Sequence, residues 1–114
     1  MNEVTKLYEN AGVEPTVRDN AIGRGYYIEH QRIEEYPPFT AEKQLELIKW
    51  LLKNFDIDFS QLGQNLIYTS LDGINCIGSV VSANTFEDSL CMAVNDLWQD
   101  LTEEERKQIK EILE

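Results

Sequence analysis

Apolar and polar positions change rhythm several times along the chain, and each rhythm predicts an element. Val4, Leu7, Tyr8 and Ala11 fall on one stripe of a helix over residues 3–11, and Gly12 supplies its stop. A second helix is predicted over 40–54, with Thr40 as N-cap and Glu42 near the positive end of the dipole. Its apolar positions Leu45, Ile48, Leu52 and Phe55 repeat at helical spacing. Leu47, Trp50 and Leu51 widen that stripe, so this helix is expected to touch the core over a broad arc. Thr85 and Asp88 open a third helix over 86–101, striped by Phe86, Leu90, Ala93, Val94, Leu97, Trp98 and Leu101. The last, over 103–113, starts from a Thr102–Glu105 capping box and turns Ile109, Ile112 and Leu113 inward.

Between these helices the period drops to two. Residues 55–59, Phe-Asp-Ile-Asp-Phe, alternate apolar and acidic, as a strand buried on one face does. Strands over 66–71 and 74–81 flank Asp72-Gly73, a dipeptide that favours a two-residue hairpin turn. Both carry apolar residues on both pleat faces, which predicts cover on the two sides by helices or by a second subunit. Gly78 is read as a bulge. Residues 13–38 fit no period: Pro15 and Gly23-Arg24-Gly25 point to loop, and Tyr26-Tyr27-Ile28 to either extended chain or a short strand. Pro37-Pro38 blocks helix. The expected fold is α+β in one domain spanning 1–114. A small antiparallel sheet of about three strands (55–59, 66–71, 74–81) is packed by helices 3–11, 40–54, 86–101 and 103–113.

Composition narrows the class. The apolar fraction of 42% and charged fraction of 27% are those of an ordinary globular domain, so 114 residues suffice for one core. No apolar run reaches the 18 or so residues of a membrane span, and the polar start predicts no secretory leader. Cys76 and Cys91 sit in apolar segments, which suits a reduced compartment and a cytoplasmic location; a disulfide between them stays open.

Net charge is −11, from 21 acids and 10 bases, and its distribution is lopsided. Between Asn54 and Glu105 there is no Lys or Arg, while Asp56, Asp58, Asp72, Glu87, Asp88, Asp96, Asp100, Glu103, Glu104 and Glu105 all fall there. Nucleic-acid binding draws its affinity from Lys and Arg, so direct binding to DNA or RNA is disfavoured, as is an anionic membrane.

The run from Tyr36-Pro37-Pro38-Phe39-Thr40 through Trp50-Leu51 resembles a segment of small proteins from Gram-positive prophages. The run from Asn65 through Asp72-Gly73 to Phe86-Glu87-Asp88-Ser89-Leu90 is similar to the strands and final helix of the phage ABA sandwich proteins. The resemblance covers residues 36 to 101. It implies an α/β/α layered phage protein of unknown function and brings no catalytic residues.

Candidate chemistry is sparse. His30, the single histidine, lies in a polar segment and reads as a surface residue, and neither cysteine has the spacing of a zinc ligand. Asp56 and Asp58 have the oxygen chemistry of a hard-cation site but the alternation of a solvated strand face. The serines lack a nucleophile elbow; Cys76 or Cys91 with His30 is the nominal nucleophile–base pair. Gly23-Arg24-Gly25 lacks the length and ending of a phosphate loop. The expectation is a protein that is not an enzyme and needs no cofactor or metal.

Asp96 and Asp100, a like-charge pair four residues apart, run into Glu103, Glu104 and Glu105. The helix dipole accounts for the glutamates but not for the two aspartates. These five residues are the candidate contact for a basic protein partner, one form of which is nucleic-acid mimicry toward a nucleic-acid-binding protein. The alternative is an assembly protein that buries its sheet in a homodimer.

Overall fold

A computed structural model describes residues 2–63, 66–73 and 78–114. The element order is α1 (Glu3–Ala11), β1 (Thr16–Arg24), β2 (Tyr27–Glu35), α2 (Ala41–Asn54), β3 (Phe55–Leu62), β4 (Leu66–Gly73), β5 (Gly78–Ala83), α3 (Phe86–Leu97) and α4 (Glu103–Leu113). The fold is α+β, and the described residues form four helices and two antiparallel sheets, β1-β2 and β3-β4-β5. All four helices start where a side chain satisfies an otherwise orphaned backbone N–H. Asn2 accepts from the Thr5 amide at 2.8 Å, Thr40 from Lys43, Thr85 from Asp88, and Thr102 from Glu105. The Glu105 carboxylate accepts from the Thr102 amide at 2.9 Å, which completes the predicted capping box. Gly12 ends α1 in the left-handed region, φ 75°, where a side chain is disfavoured.

The buried residues form one cluster. α3 lies at its centre, in contact with α1, β4 and β5, while α4 packs behind against α1 and α2. Leu7, Leu47, Leu90, Ile109 and Leu113 are fully enclosed. Phe59 and Phe86, 5.0 Å apart between ring centres, tie β3 to α3. Asn95 joins α3 to α1 by donating to the Glu3 carbonyl and carboxylate, each at 3.0 Å. The Trp50 indole donates to Gln108 at 2.7 Å, and Lys43 to the Leu113 carbonyl at 2.9 Å, linking α2 to α4.

α2 packs over part of the expected arc. Leu47, Trp50 and Leu51 are buried, and Ile48 and Phe55 are partly buried against the core, whereas Leu45 and Leu52 are 52% and 60% exposed. The neighbours of α2 in the core are β3 and α4. The third helix also ends early: its last turn, Trp98–Asp100, tightens to a 3-10 turn before Leu101 becomes extended.

The β3-β4-β5 sheet departs from expectation at its turn and on one face. Asp72 pairs with both Asp56 and Gly78, and Gly73 pairs with Phe55, so Asp72-Gly73 belong to the strand. The expected start of the next strand at Ile74 falls among residues 74–77, outside the described residues. Register runs regularly from Asp72↔Gly78 to Ile67↔Ala83, with no bulge. A Cβ on Gly78 would meet the Leu71 carbonyl oxygen at 3.1 Å, which explains a glycine there by close approach.

Ile57, Phe59, Leu71, Thr69, Ser79 and Val81 share the helix-covered face. Within it Ser89 of α3 donates to the Ile67 carbonyl at 2.8 Å, which uses its one proton; the Thr69 hydroxyl therefore donates to Ser89, also at 2.8 Å. The opposite face carries Asp56, Asp58, Asp72, Tyr68 and Val80, and among the described residues no helix lies on it. Two-sided cover, and the α/β/α layering that the resemblance implies, are therefore not seen in the described residues.

The segment read mainly as loop is a hairpin. β1 and β2 pair from Thr16↔Glu35 to Arg24↔Tyr27 around a two-residue turn, Gly25-Tyr26, in which Gly25 takes φ 63°. All residues of both strands are exposed except Ile22 and Ile33, which are half-buried. This arm makes the molecule long, 61 × 37 × 24 Å, with a radius of gyration of 17.1 Å against about 13 Å for a compact domain of this size.

Candidate interaction surface

The five acids predicted to form a contact do not act as one patch. Asp96 accepts a hydrogen bond from Ser79 at 2.8 Å, so it fastens α3 to β5. Glu105 belongs to the capping box of α4. Asp100, Glu103 and Glu104 are exposed around the 3-10 turn and the first turn of α4. Their field is tempered by Arg106, which sits 5.8 Å from the Trp98 ring centre and donates to the Trp98 and Gln99 carbonyls. Local structure thus explains two of the five.

A second acidic group was not assembled by linear reading. Strand register places Asp56 directly opposite Asp72, with Asp58 two residues along on the same face. Like charges directly opposite destabilise a sheet by roughly 0.2–1 kcal/mol. Lys53, at the end of α2, shares a surface depression with Asp56 and Asp72, and no Lys or Arg follows it in the sequence before Arg106. Val80, 70% exposed, lies across β4 from Asp58 on the same face. Strand alternation revealed Asp56 and Asp58 as one row; Asp72 joins them only because the strand runs past the expected turn.

The arm is the third exposed feature. Its arginines pair within it, Arg18 with Glu35 at 2.8 Å, Arg24 with Glu29 at 2.8 Å and Arg32 with Glu34 at 3.0 Å, and His30 Nδ1 is within hydrogen-bond distance of Asp19 at 2.8 Å. Such solvated pairs contribute about 0–1 kcal/mol each. Tyr26, Tyr27 and Ile28 at the tip are largely exposed. The root is anchored by Tyr36, whose ring stacks on Tyr8 at 5.4 Å and 15°, with Phe39 meeting Tyr8 edge-on at 6.5 Å. Partial burial, then the charges of Glu9, Glu34 and Glu14, push the Tyr36 phenol up.

The nominal nucleophile and base are held apart by the architecture. His30 is on the exposed arm, and Cys91 is fully buried in α3. Burial above all, helped by Asp88, Glu3 and Glu87, pushes the Cys91 thiol far up. Burial likewise pushes the Tyr8 phenol up to about 12, and its hydroxyl has no hydrogen-bond partner among the described residues. Cys76, and with it the open question of a disulfide, lies outside the described residues. Among the described residues no group of three or more His, Cys, Asp or Glu side chains is placed to hold a metal ion. Nor is any described helix long and apolar enough to cross a membrane.

The Cys91 environment has a measurable consequence. A thiol whose pKa is raised on folding keeps its proton in the native state after the unfolded chain has lost its own. Stability is full below the unfolded value of 9.0 and declines as pH rises above it. Between pH 8 and pH 10 the wild type is expected to lose about 1 kcal/mol more than Cys91→Ala does. Urea midpoints at the two pH values measure this; parallel declines would show that the thiol is not held neutral.

Comparisons of the chain with protein-family models, with curated proteins and with solved structures found no match, so the functional reading rests on the geometry above.

Proposed function

We propose that this chain is a non-enzymatic accessory protein that binds a basic protein partner, in keeping with its resemblance to small prophage proteins. The observation that carries the reading is the arm together with the uncovered acidic face of the three-stranded sheet. A two-stranded hairpin exposed on both faces is marginally stable alone and gains its stability from a third strand or a packed surface. Twenty residues, 16–35, bury almost nothing in their own chain. Three aspartates on an open sheet face, in a stretch with no basic residue, offer charge to a complementary surface. A partner whose basic surface binds nucleic acid is the sharper form of the proposal.

The second reading is a homodimer through the open sheet face, favoured by exposed Val80. A two-fold contact would set Asp56, Asp58 and Asp72 of one copy against the same three carboxylates of the other, with Lys53 the basic residue beside each patch. Charge therefore favours a different, basic partner.

The test is retention of a bacterial-lysate protein on the immobilised chain at low and high salt. Retention is expected at low salt, with loss on replacing residues 17–34 by a short glycine link and on the triple change Asp56→Asn, Asp58→Asn, Asp72→Asn. Both variants should keep the wild-type thermal midpoint to within a few degrees. Retention that survives both changes would sink the proposal, as would a failure to retain any protein.

A further inference from the structure

At the root of the arm, between α1 and the segment following β2, lies a cleft of about 500 Å³. That volume falls within the roughly 300–1,000 Å³ of small-ligand sites. Tyr36 and Phe39 supply its aromatic wall, backed by Tyr8, which is itself buried and stacked on Tyr36; Glu9, Glu34 and Glu35 also line it, and no Lys or Arg does. Arg18 and Arg32 reach Glu35 and Glu34 from the arm in exposed pairs, while Glu9 is in none of the ion pairs among the described residues.

Aromatic faces attract a cation placed over them, carboxylates supply the charge, and an apolar wall accepts a hydrocarbon stem. We propose that this cleft receives an arginine side chain presented by a protein partner. Arginine fits better than lysine because its guanidinium is planar, stacks on rings and is more weakly hydrated. The proposal deepens the reading of a basic protein partner and rests on it for the source of the arginine. The raised Tyr36 phenol agrees with it, since Glu9, Glu34 and Glu14 make the potential there negative. The position also gives the arm a role: a partner lying along β1 and β2 runs its chain toward the cleft.

The test uses the full chain and the tripeptide amide acetyl-Gly-Arg-Gly, followed by NMR shifts, with the norleucine peptide as neutral counterpart. Saturable shifts centred on Tyr36, Phe39 and Glu9 are expected with the arginine peptide. Glu9→Gln and Tyr36→Leu are each expected to weaken binding about two- to five-fold. Glu9 is exposed, so Glu9→Gln keeps the test valid even where Tyr36→Leu disturbs the arm. Equal shifts from the norleucine peptide, no saturable shift, or unchanged affinity in Glu9→Gln would each overturn the proposal. Because the peptide is supplied directly, a failed lysate experiment with intact peptide binding would count against the partner reading and leave the cleft assigned.

Discussion

Leu90→Ala is expected to destabilise the protein by about 2–5 kcal/mol, the range for emptying a buried leucine site. Leu90 has no exposed surface and sits on α3, the helix that touches α1, β4 and β5, so the new cavity opens inside the core. A domain of this size has roughly 5–15 kcal/mol in all, so the loss approaches a third or more of its stability. The informative control is Leu52→Ala on α2, 60% exposed, expected to change stability by no more than about 0.5 kcal/mol. Urea midpoints at unchanged m-value measure both. Similar losses in the two variants would mean that α2 packs through its Leu45–Leu52 stripe after all.

Ser89→Ala is expected to be the next most costly, at about 1–3 kcal/mol, and to exceed Thr69→Val clearly. The relay runs one way: Thr69 donates to Ser89, and Ser89 donates to the Ile67 carbonyl. Removing Ser89 leaves a buried hydroxyl donor without an acceptor and deprives a strand carbonyl of a partner. Removing the Thr69 hydroxyl leaves Ser89 still donating and costs it only a spare lone pair, while valine keeps the branched shape on a β position. Equilibrium unfolding of the two single variants and the double variant settles the direction. A larger cost for Thr69→Val would reverse the assignment of the protons.

The helices were legible because their signals are local. Thr40, Thr85 and Thr102 each stand one residue before a helix with an apolar stripe, and each caps the helix that follows. That Leu45 and Leu52 of the broad α2 stripe stay exposed was not legible, since it depends on where β3 and α4 lie. The arm was missed for a different reason. Its apolar residues are few and split between faces, Ile22 and Ile33 on one, Val17 and Ile28 on the other. Alternation marks a strand that is half-buried, and this hairpin is buried on neither side. The remaining signal was the Gly25-Tyr26 turn between two segments of equal length. The candidate contact fared similarly: Asp96 and Glu105 carry charge that reads as surface, yet one binds Ser79 and the other caps α4.

A sheet of two strands has two edges and no interior, so each strand of the arm presents unpaired backbone along its outer side. Such edges template the addition of identical strands from other molecules, the first step toward aggregation. Here nearly every third residue guards against it: Arg18, Asp19, Arg24, Glu29, Arg32, Glu34 and Glu35 would each have to shed water or find a matched opposite in an incoming copy. The dense charge of the arm, which contributes little to its folding, guards its open edges against pairing with their own kind.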